Sequence, residues 1–201
     1  MLESFQGKLS DRKLRLFACA CCRRIWHLLA EGSREAVVVA ERYADGQASQ
    51  ADLGLAEGRA LDTAQNSDGE AAWFAAYPDA FMAAFDASYC AAGLEACLGW
   101  PGRNDHDEER VTKEHAESAD LLRDIFGNPF RPIIFSPSWR TDTVVMLAYQ
   151  MYDSRDFSPM PILADALQDA GCDNEDILAH CRSGGSHVRG CWGVDLVLGK
   201  A

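Results

Sequence analysis

Apolar residues recur at helical spacing from the start of the chain. The pattern predicts a first helix over Ser10 to Glu31, SDRKLRLFACACCRRIWHLLAE. Ser10 supplies an N-cap, and Asp11 puts a negative charge in the first turn, where the helix dipole favours it. At about 100° per residue, Leu14, Phe17, Ala18, Cys21, Cys22, Ile25, Trp26, Leu28 and Leu29 cover a very wide arc. An arc that wide requires burial on several sides. Lys13, Ala20, Arg24, His27 and Glu31 fall on one narrow line that should face solvent or a polar partner. Arg15 lies inside the apolar arc, so it needs a carboxylate or carbonyl partner.

The same reading continues along the chain. Gly32-Ser33 stops the first helix, and a second spans Arg34 to Ala44. A third runs from a Ser49 cap to about Gln65, and a short aromatic one covers Glu70 to Tyr77. Another, Asp79 to Leu98, places Phe81, Phe85, Tyr89 and Cys90 on its apolar side. Gly99 to Asn104 is the best internal loop, with a helix from about Asp107 to Phe126 beyond it. Three prolines and a glycine forbid a continuous helix through IFGNPFRPIIFSPSWRTD, which reads as an extended crossover. In it Gly127 stops a helix, and Phe126 and Phe130 are expected to anchor the segment. Helices follow over Asp142 to Asp153, from Ser158-Pro159 to Gly171, from an Asp173 cap to about Ser183, and over His187 to Leu198. The expectation is an all-α protein: one compact domain, residues 1–201, of about eight to ten helices in an orthogonal bundle around a buried N-terminal helix. Only a weak internal boundary falls at 99–104.

Charge alters the picture of possible partners. The net charge is -12, and it is uneven: residues 1–42 carry eight Lys/Arg against five Asp/Glu. So acidic a surface argues against binding nucleic acid, which requires many phosphate-neutralising cations. The basic cluster Arg12, Lys13, Arg15, Arg23, Arg24 is expected to pair with the chain's own carboxylates. No run of about 18 apolar residues predicts a membrane span, and the N-terminus lacks the layout of a signal peptide. The 8 cysteines then read as reduced cytosolic thiols.

Candidate chemistry concentrates in Gly171 to Lys200, which holds Cys172, His180, Cys181, His187 and Cys191. Three readings compete. One is a zinc site drawn from Cys172, Cys181, His187 and Cys191, although no C-x-x-C is present. A second is a thiol nucleophile, Cys191, activated by His187 and oriented by Asp195, the three being spaced i, i+4, i+8 on the expected last helix. The third, which carries most weight, treats these thiols as core, with Asp195 a buried carboxylate paired to Arg131, Arg15 or Arg189. Cys19, Cys21 and Cys22 cannot converge on one ion without unwinding their helix, so they too read as core. Lys13, Arg24, His27, Asn128 and Arg131 form the candidate interaction surface. No GxGxxG, P-loop, H-E-x-x-H, GxSxG or EF-hand loop occurs. The leading functional reading is a non-catalytic cytosolic interaction or regulatory module with an unknown protein partner. The alternative is a metal-binding or thiol-dependent protein.

Three stretches, DRKLRLFACACCRRIWHLL (Asp11 to Leu29), DLLRDIFGNPFRPI (Asp120 to Ile133) and PILADALQDAGCDNEDILAHCR with HVRGCWGVDLVLGK (Pro161 to Lys200), carry a resemblance. On them the chain resembles an uncharacterised bacterial family abundant in planctomycetes such as Gemmata. The resemblance spans nearly the whole chain and implies an interaction role only by association, since some relatives look fused or adjacent to repeat-type or immunity-like domains. Members often carry a further segment before the stretch that opens this chain, which leaves the native start open.

Overall fold

The structure is a computed structural model, described for residues 10–63, 70–97, 108–128, 130–131 and 133–200. It is all-helical, as expected. Among the described residues there are ten α-helices, one 3-10 turn and no strand. The chain forms two compact units, residues 1–121 and 122–201. The loop expected as a boundary, 99–104, lies outside the described residues.

The first unit is organised on α1 (Asp11–Arg24), which packs against α2 (Glu31–Ala44), α4 (Glu70–Ala75) and α5 (Ala80–Cys97). Ser10 Oγ caps α1 by accepting from the Lys13 amide at 3.3 Å. Every residue from Leu14 to Cys22 is buried, Ala20 included, so the burial is wider than the apolar arc. α1 ends well before Glu31. From Arg23 to Leu29 the backbone closes i→i+3 turns, and Ile25 and Leu29 remain buried at the corner. Apolar spacing therefore persists there while the helix does not. Trp26 stacks under the Arg23 guanidinium at 3.9 Å, with Arg34 at 5.7 Å. Gly32 and Ser33 lie in the first turn of α2 rather than stopping its predecessor. The amides of a first turn have no intrahelical partner, so glycine is tolerated there.

α3 (Gln50–Thr63) starts with a reciprocal capping box. Ser49 Oγ accepts from the Asp52 amide, and the Asp52 carboxylate accepts from the Ser49 amide at 2.8 Å. In α5 the buried face is Ala80, Ala83, Ala84, Ala87 and Ala91, while Phe85 and Tyr89 are exposed. This reverses the expected orientation. Helices that approach closely need small contact residues, and alanine supplies them.

Arg15 is 2% exposed and finds carbonyl partners. Its guanidinium donates to the Ala75, Tyr77 and Pro78 carbonyls at 3.0, 2.7 and 2.9 Å, which satisfies the end of α4. The other α1 arginines pair with acids of the same unit. Arg12 meets Asp45 at 3.1 Å, Arg23 grips buried Glu41 in a two-pronged pair at 3.0 and 2.9 Å, and Arg24 meets Glu117 at 2.6 Å. The basic cluster is thus engaged internally.

In the second unit, α7 (Asp142–Ser154), α8 (Met160–Asp169), α9 (Glu175–Arg182) and α10 (Trp192–Leu198) enclose a core of Val144, Met151, Tyr152, Phe157, Met160, Leu163, Leu167 and Ile177 with smaller residues. The division from the first unit falls inside α6 (Glu108–Phe126). Thr141 caps α7, and Asn174, not Asp173, caps α9. α8 ends in a Schellman pair: the Cys172 amide donates to the Leu167 carbonyl and the Gly171 amide to that of Gln168, with Gly171 at φ 87°.

The Pro-rich crossover departs from expectation. Phe130 and Ile134 are 74% and 90% exposed, so Phe130 is not the buried anchor that was expected. The docked aromatic pair is instead Phe135 edge-on to Trp139, 5.3 Å apart. Arg131 is exposed and 3.6 Å from Asp176, so it is no buried partner for Asp195. Arg140, which the sequence did not single out, donates to the Val197 and Leu196 carbonyls at the end of α10.

Candidate metal centre

Four donor side chains of the second unit converge: Asp124, His180, His187 and Cys191. Their ligand atoms all lie within 4.8 Å of one another, and among the described residues no other group of three or more His, Cys, Asp or Glu does so. They come from three places. Asp124 sits in the last turn of α6, where it is buried. His180 sits in the last turn of α9. His187 and Cys191 belong to the non-helical segment 183–191, Cys191 being the residue before α10.

The sequence expected a helix from His187 onward, and the structure corrects this. Gly184 and Gly185 open the segment, and Gly190 adopts φ 95°, a left-handed value that breaks a helix before Cys191. The i, i+4, i+8 line of His187, Cys191 and Asp195 is therefore not a helix face. Asp195 is buried in α10, outside the four-donor group.

The contacts are short. His187 Nδ1 is 2.7 Å from Asp124 Oδ1, and the other Asp124 oxygen accepts from the Val188 amide at 3.0 Å. His180 Nε2 is 3.0 Å from Cys191 Sγ and 3.5 Å from Asp124 Oδ1. Cys191 Sγ is 3.9 Å from His187 Nδ1. In a tetrahedral site with bonds of about 2.0–2.3 Å, neighbouring donors are about 3.3–3.8 Å apart. The four observed spacings bracket that edge. His187 Nε2 is buried and has no hydrogen-bond partner among the described residues, so the ring's polar attachment lies on its Nδ1 side.

The walls hold the rings in place. The Trp192 ring lies 4.5 Å from that of His180, and the two imidazoles meet edge to face at 4.8 Å. A Cβ on Gly193 would stand 3.0 Å from His180 Cδ2. Gly127, at φ 61°, ends α6 just after Asp124, and a Cβ there would meet Trp192 Cγ at 3.0 Å.

Burial sets the protonation states. Desolvation pushes His180 down to about 4, against the opposing pull of Asp124, so at neutral pH its ring is uncharged with a lone pair available. Desolvation, reinforced by Asp124, holds the Cys191 thiol well above its ordinary range, while the Val194 and Gly193 amides oppose it. A thiol so held, with no exposed surface, is a poor nucleophile.

Of the four residues expected as zinc ligands, His187 and Cys191 are brought together. Cys172 and Cys181 lie outside the group and are buried in the core of the unit. Cys181 shares the buried stripe of α9 with Ile177, four residues earlier, and this turns the neighbouring His180 to the cluster. Asp124 was missed, and His180, noted in the same stretch as His187, was not counted among the ligands. The signal for Asp124 was a carboxylate between Leu121 and Ile125 on an apolar helix face, the same argument that singled out Arg15.

Of the candidate surface residues, His27, Asn128 and Arg131 are exposed, Lys13 is half-buried, and Arg24 is committed to Glu117. Asn128 Oδ1 accepts from the Phe130 amide in a local turn. No protein-family model, curated protein or solved structure matches this chain.

Proposed function

We propose that this chain is a non-catalytic helical module whose C-terminal unit binds a metal ion, and that its role is interaction or regulation rather than turnover. The observation that carries the reading is the convergence of Asp124, His180, His187 and Cys191 from three separate stretches. A thiol nucleophile is disfavoured because Cys191 is buried and its ionisation suppressed. An interaction role is supported by large apolar side chains left exposed on the same unit: Phe130, Ile134, Met146, Tyr149 and Ile162.

Among the described residues no helix is long and apolar enough to cross a membrane, and seven cysteines are free. A reducing, cytosolic setting fits those thiols. All four donors fall inside the stretches that resemble the planctomycete family. We extend the proposal to members that share them.

Elemental analysis of untagged protein tests the reading. The expected result is one transition-metal ion per chain, lost on strong chelation and regained on dialysis against the ion. Protein that is metal-free as purified and takes up no ion afterwards would falsify it.

A further inference from the structure

The four-donor group also specifies which ion it takes and what the ion is for. We propose that it is a closed, zinc-class site, holding one divalent borderline ion through Asp124 Oδ1, His180 Nε2, His187 Nδ1 and Cys191 Sγ, and that the ion pins segment 183–191 to the end of α6. This rests on the metal-binding reading and goes beyond it in three respects.

The first is charge. One thiolate, one carboxylate and two neutral imidazoles sum to two negative charges. A divalent ion therefore leaves a buried site with no net charge, which a low-dielectric interior favours strongly over a monovalent or trivalent one.

The second is donor chemistry. Sulfur and imidazole nitrogen select zinc, cobalt and their neighbours, whereas magnesium and calcium require mostly oxygen donors. Four protein donors whose ligand atoms all lie within 4.8 Å of one another fill a four-coordinate shell and leave no position for water, the hallmark of a structural rather than a catalytic zinc site. Proton bookkeeping is simple: the Cys191 Sγ–H bond breaks, the proton leaves to solvent, and sulfur binds the ion. His187 Nδ1 gives up the proton it donates to Asp124 while Nε2 takes one up, so the ring stays neutral, and Nδ1 and Asp124 Oδ1 then each bond the ion instead of each other. Asp124 keeps its second oxygen on the Val188 amide, which orients the carboxylate from behind.

The third is what the ion holds. Segment 183–191 has no helix of its own. Its attachments include the two Asp124 contacts, Ser183 Oγ to the His180 carbonyl at 2.8 Å, and Arg189 over the Tyr152 ring at 4.4 Å. An ion bridging Asp124, His180, His187 and Cys191 ties the middle and the C-terminal end of the segment to α6 and α9.

The test is cobalt substitution in the full-length, chelator-treated protein. One equivalent of Co²⁺ should give a thiolate-to-cobalt charge-transfer band in the near ultraviolet and strong visible bands of tetrahedral cobalt. Zn²⁺ should abolish both, and large excesses of Mg²⁺ or Ca²⁺ should not. Cys191→Ser should lose the near-ultraviolet band. Should that variant not fold, X-ray absorption on the zinc-loaded wild type replaces it, with one sulfur at about 2.3 Å and three N/O donors at about 2.0 Å expected. Hydrogen exchange should slow on zinc addition in peptides covering 120–127 and 183–191.

Cobalt bound with only weak octahedral bands, no sulfur in the zinc shell, or competition by Mg²⁺ would overturn the closed zinc-class site while leaving metal binding intact. Unchanged exchange at 183–191 would overturn the pinning role. Failure to bind any ion would remove the underlying reading, and this one with it.

Discussion

Arg15→Met isolates the three bonds that a buried guanidinium makes to the end of α4. Methionine keeps an apolar stem of similar length, so the loss is mainly polar. The bond to the Ala75 carbonyl is buried, and those to Tyr77 and Pro78 are partly buried. Hydrogen bonds to a charged group contribute about 1.5–3 kcal/mol each, and a buried acceptor left unmade costs about 1–3 kcal/mol. Water can reach the Tyr77 and Pro78 carbonyls, and removing the cation also relieves its own desolvation. The net expectation is a destabilisation of about 2–4 kcal/mol. At about 2–4 °C per kcal/mol for a chain of this size, the thermal midpoint should fall by on the order of 10 °C. Urea unfolding followed by circular dichroism gives the free energy, and hydrogen exchange by mass spectrometry locates it. Protection should drop in peptides spanning 70–80 and stay unchanged in peptides from α8 and α9. Arg15→Lys, with a point charge in place of the planar fork, should recover only part of the loss. A variant within about 0.5 kcal/mol of wild type, well below that range, with α4 protection intact, would mean that solvent satisfies these carbonyls and that the arginine is a spectator.

Three other outcomes are expected. Gly127→Ala should lose about 1–2 kcal/mol from the left-handed backbone alone and displace the Trp192 ring, seen as altered near-ultraviolet circular dichroism. In metal-free protein, His180 stays neutral down to about 4 while the unfolded chain takes up a proton below about 6.5. Stability should therefore fall as pH drops through that window, by roughly 3 kcal/mol, and His180→Gln should flatten the dependence measured by urea melts. Burial raises Cys21 and Cys181 to about 12, so the folded state retains protons that the unfolded state gives up. Stability should then decline from about pH 9 toward pH 12, and at pH 8 a thiol reagent should react first with half-buried Cys90 and with the other described thiols only on unfolding.

Local chemistry was legible wherever it is written in adjacent residues. The Ser10 and Ser49 caps, the span of α7 and the need of Arg15 for a buried partner could all be read from spacing alone. Helix ends were harder, because Ile25, Leu29 and Val188 keep helical apolar spacing in segments whose backbone is not helical. On α5 hydrophobicity favoured burying Phe85 and Tyr89, but the spacing of neighbouring helices decided for the alanines. The candidate site was half legible. His187 and Cys191 are close in sequence, whereas Asp124 lies 63 residues from His187, and no local pattern encodes that pairing.

The alanine face of α5 has a consequence for how this protein tolerates change. Much of the first unit's interior is methyl groups: Ala18, Ala36, Ala40, Ala72, Ala84 and Ala87 are among those buried. The second unit is filled by long side chains such as Met151, Met160, Leu163 and Leu167. Trimming an alanine removes little volume, but enlarging one forces helices apart, at about 1–3 kcal/mol per overpacked site. Truncating a buried leucine or methionine opens a cavity and costs about 2–5 kcal/mol. A saturation-mutagenesis map should thus show the first unit failing by addition at its alanines, besides the failure by removal that Leu16, Phe17, Ile25 and Leu53 share with the core of the second unit.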